Sequence, residues 1–218
     1  HPLPHIERPA IMTALPTLNG ETHLLDLGAN VDVSAQQLVQ FALMGSAAVQ
    51  IQGVANPRVA LLNVGREAIK GNQQVKQAAA QLQLMPDINY IGYVEGDGVF
   101  RGDADVVVCD GFVGNVLLKS SEGLATMIAA RIKQRLGRGP RAWLLAWLAA
   151  PLLKVLRSEL APERYNGACL LGVDGVVVKS HGNASQQAFQ AAITVAYKAV
   201  QEDLSERLQQ HLQVLNSV

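Results

Sequence analysis

Four times this chain runs a short, nearly all-apolar strand into a polar, glycine-bearing turn: "LLDLGANVD", "LLNVGREAIKG", "VVVCDGFVGN" and "VVVKSHGNAS". Strands that face solvent on one side alternate apolar and polar residues. Strands apolar on both sides belong to a mostly parallel sheet covered by helices on both faces. The segments between them carry the helical period. In "SAQQLVQFALMGSAAVQ", Leu38, Phe41, Ala42, Gly45, Ala48 and Val49 share one face, with Ser34 as N-cap and Gln37 in the capping-box position. A polar helix is expected over Gln73 to Leu84, strands in "INYIGYVEG" and "ADVVVCDG", and a helix from Asn115 to Leu136. Two strands or a hairpin about Asp174-Gly175 and a long final helix from Ala184 complete the pattern. The opening residues "HPLPHIERPAIM" offer no strong first element. The expected fold is therefore α/β and three-layered: a single domain over residues 1–218 with an apolar, basic helical insertion at about 131–160.

Composition removes several classes of function. At 49% hydrophobic and 17% charged residues the chain is too apolar for wholesale disorder, and a formal net charge of zero gives no argument for nucleic acid. Its two cysteines, Cys109 and Cys169, each sit inside an apolar run and read as buried free thiols of a reducing compartment. The start lacks an initiator Met, a basic segment and an apolar signal core, as expected of a cytoplasmic chain that begins in the middle of something. G-x-G-x-x-G, G-x-x-x-x-G-K-[ST], G-x-S-x-G, H-E-x-x-H and C-x-x-C are all missing, so no dinucleotide, P-loop, serine-hydrolase or zinc signature is present. No metal and no cofactor is called for.

In an open parallel sheet the carboxyl ends of the strands line one edge, where the ligand crevice lies. Those ends bring Asp26, Gly28, Asn30, Asp32, Asn63, Glu67, Lys70, Asp110, Gly111, Gly114, Asn115, Lys119, Lys179, His181 and Asn183 toward one crevice. Glycines allow sharp turns and close approach, and amides at the following helix N-termini are donors for an anion. Any one such turn is an ordinary loop signal. Four together point to a site for something anionic.

From Ala142 to Leu153 every residue is apolar or proline, and no acid occurs from Arg131 to Arg157. This run is too short for a bilayer crossing, which takes roughly 20 residues. Trp143, Leu144, Trp147 and Leu148 read as facing an anionic membrane surface; equally, the segment reads as a helical hairpin packed on a second subunit.

The stretches "IERPAI", "LDLGANVD", "QFALMGS", "NPRVALLNVG", "KGN", "INYIGYVEG", "DVVVCDGFVGNVLLKSSEG" and "YNGACLLGVDGVVVKSHG" closely resemble the bacterial phosphate acyltransferase family of phospholipid synthesis. The resemblance runs from about Ile6 into the final helix. It implies a phosphotransacetylase/isocitrate-dehydrogenase type of fold and formation of acyl phosphate from a fatty acyl-acyl-carrier protein and inorganic phosphate. It also implies hand-over of product to a membrane glycerol-phosphate acyltransferase. The homodimer and the peripheral membrane attachment are expected from the apolar, basic segment itself, which is too apolar to sit alone in water. Two features depart from the family pattern. The loop after the second strand keeps only Glu67 among Arg66 and Ala68, where the family is richer in acid. Roughly the first third of the family chain, with an Asp-and-glycine-rich turn and a glycine-rich segment lining the same crevice, has no counterpart in these residues.

Phosphate is already a nucleophile at neutral pH, so this chemistry needs positioning and oxyanion stabilisation more than a covalent Ser or Cys. Lys70 and Lys179 are the cationic candidates, His181 a donor to the same group or to the leaving sulfur, and Asn30, Asn115 and Asn183 neutral donors. Asp26 and Asp110 are expected to orient lysines and loop amides, because bare carboxylates repel phosphate. The alternatives are a phosphate acetyl- or butyryltransferase using acyl-coenzyme A, and a non-catalytic remnant that only dimerises or docks on membranes.

Overall fold

In the computed structural model, which describes residues 1–136, 151 and 166–215, the chain opens with a hairpin. Strands β1 (Ala10–Thr17) and β2 (Gly20–Leu25) pair antiparallel about the turn residues Leu18 and Asn19, with Gly20, at φ +111°, opposite Thr17. The sequence pattern gave no first strand because Thr13 and Pro16 interrupt its apolar run. Asn19 followed by Gly20 is nonetheless a turn signal, since both residue types favour tight turns.

Helix α1 (Ala35–Ile51) starts at the expected capping box: Gln37 N donates to Ser34 Oγ at 3.2 Å and Ser34 N to Gln37 Oε1 at 2.9 Å. Strand β3 (Val59–Leu62), helix α2 (Gln73–Leu82), strand β4 (Tyr90–Val94), a short helix α3 (Gly96–Arg101) and strand β5 (Val106–Val108) follow. Helix α4 (Gly111–Leu136) then leaves β5 directly. After it come β6 (Ala168–Leu171), β7 (Val178–Lys179), α5 (Gln186–Gln201) and α6 (Leu204–Leu215). The expected single final helix is two, because Asp203 turns at φ +51°.

The sheet order is β4-β3-β5-β2-β1-β6-β7. Strands β4, β3, β5 and β2 are mutually parallel; β1 runs against β2, β6 against β1, and β7 against β6. One face packs on α1, α2 and α6 through Leu25, Val106, Val108 and Leu61; the other, with Leu24, Val107 and Ala60, meets Phe100 of α3 and Leu117 and Leu118 of α4. Gly45 is what lets α1 press on the sheet, since a Cβ there would stand 2.7 Å from Val106 Cγ1.

Candidate functional site

Where β5 hands over to α4, the sheet edge is tied into a knot centred on Asp26, which is fully buried. Its Oδ1 accepts from Ile11 N at 2.9 Å and Ala29 N at 3.1 Å; its Oδ2 accepts from Asn30 N at 2.7 Å and Asn30 Nδ2 at 3.0 Å. Four donors satisfy a buried carboxylate, so Asp26 holds loop amides in place. Asn30 donates its other amide hydrogen to Pro9 O at 2.8 Å, which makes its side-chain amide a loop brace with no hydrogen left for a ligand, and its backbone carbonyl accepts from Gly111 N at 2.7 Å. Asp110 Oδ1 accepts from Val113 N at 2.8 Å and caps α4.

The glycines of this knot serve contact. A Cβ on Gly114 would lie 1.9 Å from Asp26 O, and one on Gly111 2.7 Å from Asn30 O. Gly28, at φ +101°, turns the loop beside Asn115, which is exposed. Cys109 is buried under the same knot, and burial pushes its thiol far above the ordinary range, so it is no nucleophile.

The adjacent β3 ends in a closed loop. Asn63 Nδ2 donates to Gly65 O at 3.0 Å and Lys70 O at 3.2 Å, and Gly71, at φ +93°, leaves room for the Asn63 side chain. Lys70 Nζ lies 2.9 Å from Glu67 Oε1, and this hydrogen bond raises the lysine pKa and lowers that of the carboxyl. Arg66 reaches across to Asp103, which also binds Arg101, so the loop is anchored to the α3–β5 turn. Asn63, Asp110 and Asp26 therefore stand at three neighbouring strand ends, as expected.

The fourth turn does not. Because β7 is antiparallel to β6, its end points away from that edge. The expectation of four strand ends on one edge took these four strands of a mostly parallel sheet to run the same way. The displacement is small at Lys179, which pairs with Ala168 one step from the Met12–Cys169 row, and grows toward His181 and Asn183. Lys179, His181 and Asn183 are all exposed. Asn166, buried, fixes this turn: Nδ2 donates to Ser180 Oγ at 2.9 Å and Ala188 O at 2.7 Å, and Oδ1 accepts from His181 N at 3.1 Å.

Helix α4 connects the two regions. Asn115, Lys119 and Glu122 follow at i, i+4 and i+7 and so share one face. Lys119 Nζ is 2.8 Å from Glu122 Oε2, and His181 Nε2 is 3.5 Å from Glu122 Oε1. Glu122 and Asn166 were not among the sequence candidates. The spacing from Asn115 was the available signal for Glu122; nothing local marks Asn166. The stretch bearing Trp143, Leu144, Trp147 and Leu148 lies outside the described residues. Among the described residues no helix is long and apolar enough to cross a membrane.

Residues 1–207 match the family described as "Fatty acid synthesis protein". A protein named "Phosphate acyltransferase" from Pseudomonas paraeruginosa is 60% identical over 213 residues, covering 98% of this chain and 63% of that protein. Its namesake from Pseudomonas syringae pv. syringae is 62% identical over the same span. The chain thus spans about 63% of the length of these curated relatives. Among solved structures, a branched-chain phosphotransacylase from Enterococcus faecalis aligns with TM-score 0.57 at 15% identity, over 88% of this chain and 65% of its own. A phosphotransacetylase from Staphylococcus aureus aligns with TM-score 0.54 at 18% identity, over 91% and 56%. At such identities these two speak for the fold.

Proposed function

The chain belongs to the fatty acid synthesis protein family, and from that premise we propose that it forms the larger part of an acyltransferase that moves a fatty acyl group from acyl-acyl-carrier protein to inorganic phosphate. The observation that carries this reading is the identity of about 60% to proteins named phosphate acyltransferase across 98% of the chain. The site is consistent with the chemistry. A phosphate oxygen attacks the thioester carbonyl carbon, the C–S bond breaks, and the carrier leaves as thiolate or, once protonated, as thiol. Lys70 offers positive charge for phosphate or the developing oxyanion at the β3 end. Lys179 and His181, on the turn that stands off that edge, are the proposed second cation and the proton donor to the leaving sulfur. Asn115 and Asn183 are exposed amides available as donors.

A homodimer fits the surface. Phe189, Ile193, Tyr197 and Val200 form an exposed apolar stripe on α5, and Leu124, Met127, Ile128 and Ile132 another on the outer half of α4. Attachment to an anionic membrane from the cytoplasmic side, through Trp143, Leu144, Trp147 and Leu148, suits a product destined for a membrane glycerol-phosphate acyltransferase. Replacing Leu144, Trp147 and Leu148 by polar residues is expected to release the protein from anionic vesicles in co-sedimentation; unchanged pelleting would make the segment a subunit contact.

The test of the reaction uses this chain fused behind the opening third of a Pseudomonas relative. Incubated with fatty acyl-acyl-carrier protein and phosphate, the fusion is expected to yield acyl phosphate, trapped as hydroxamate, and free carrier thiol. Turnover only with short-chain acyl-coenzyme A would favour the phosphate acetyl- or butyryltransferase reading.

A further inference from the structure

We propose that Lys119, Glu122 and His181 form a phosphate-holding unit in which Lys119 and His181 touch the phosphate and Glu122 is the positioning residue that presents them. This rests on the phosphate-acyltransfer reading above and extends it to two residues that reading does not use. Each oxygen of the Glu122 carboxylate faces a different cationic or donor group: Oε2 is 2.8 Å from Lys119 Nζ and Oε1 is 3.5 Å from His181 Nε2. The two partners come from different elements, α4 and the β7–α5 turn, and Asn166 independently fixes the His181 backbone.

Stability is a poor reason for this arrangement. The side chains of Lys119 and His181 are 49% and 54% exposed, and pairs this exposed contribute little to folding. What the carboxylate does is hold two long or rotatable groups side by side at the surface of α4, on the face that Asn115 shares at the β5 end. Two donors gathered on the two oxygens of one carboxylate can meet the oxygens of one phosphate together, which neither does alone.

The sign of one substitution separates positioning from simple charge. Were Glu122 only a nearby negative charge, neutralising it would remove repulsion and tighten phosphate binding. A carboxamide keeps one acceptor oxygen and no charge. Glu122→Gln thus loses the charge-assisted contact to Lys119 and can meet His181 only by donating an N–H to it, which takes up the nitrogen. Positioning therefore predicts weaker binding. The probe is inorganic phosphate, titrated into the isotope-labelled chain and followed by NMR at the Lys119 side chain and the His181 ring.

Saturable shifts at both groups are expected in the wild type, with affinity about fivefold or more weaker in Glu122→Gln and comparably weaker in Lys119→Met and His181→Ala. Glu122→Asp, which keeps two oxygens on a shorter stem, is expected to regain part of the loss. Equal or tighter binding by Glu122→Gln, or no saturable shift at Lys119 and His181 in the wild type, overturns the proposal. The acyl-transfer reading is judged separately by acyl phosphate formation in the fusion, so it stands or falls without this unit.

Discussion

At the scale of the residue, the glycines of the Asp26 knot make the most exacting demand. Gly114→Ala would drive a methyl group into a backbone carbonyl that four hydrogen bonds on the same residue hold still. A loss of about 3 kcal/mol or more is expected in chemical denaturation. Gly123→Ala, one step past Glu122 with nothing within 4 Å of the new methyl, is expected to gain about 0.5–1 kcal/mol from helix propensity. Equal effects at the two positions would contradict the packing described for the knot. His23 makes a different demand. Its Nδ1 is buried without a hydrogen-bond partner, and burial lowers its pKa below the ordinary 6.5. The unfolded chain therefore takes up a proton that the folded chain resists. Stability is full above the ordinary histidine range and is lost as pH falls through the window below it. Denaturation midpoints at about pH 7.5 and about pH 5.5 are expected to differ in the wild type and to converge in His23→Leu; an undiminished difference in that variant would remove His23 as the cause.

At the scale of the element, some features were legible because their cause is local. The capping box at Ser34 and Gln37, the apolar strand cores and the glycine turns after them are each written in a few neighbouring residues. The direction of β7 was not, because a two-residue strand has no pattern of its own and takes its orientation from pairing with β6. The β1 strand was hidden behind Thr13 and Pro16, and the break between α5 and α6 rests on a single left-handed residue. The site divides in the same way. Asp26, Asn63 and Lys70 were visible at strand ends, whereas Glu122 acquires its meaning only when α4 packs beside a turn distant in sequence. Asn166 is the clearest case: its three hydrogen bonds go to Ser180, His181 and Ala188, and none is to a neighbour in the chain. Asn166→Ala leaves these groups without that partner and is expected to cost about 2–4 kcal/mol. In the fusion it should also lower turnover; a variant that melts earlier yet turns over normally would show that the turn need not be fixed for chemistry.

At the scale of the whole molecule, the described residues leave the apolar stripes of α4 and α5 uncovered. A second copy is the occupant that the dimer reading requires, and light scattering of the fusion should report a dimer at micromolar concentration. Replacing Ile193 and Tyr197 by polar residues should shift it toward monomer, while a wild-type monomer would leave the stripes to another part of a longer chain. The central claim is acyl transfer to phosphate at the edge formed by β3, β5 and β2, with Lys70 as a principal cation. Its most direct measurement is acyl phosphate formed by the fusion from fatty acyl-acyl-carrier protein and inorganic phosphate, in the wild type and in Lys70→Ala. The account predicts phosphate-dependent product that falls by about 10²-fold or more in the variant, as for loss of an oxyanion contact. Near-normal product from Lys70→Ala, or none from the wild type, would contradict it.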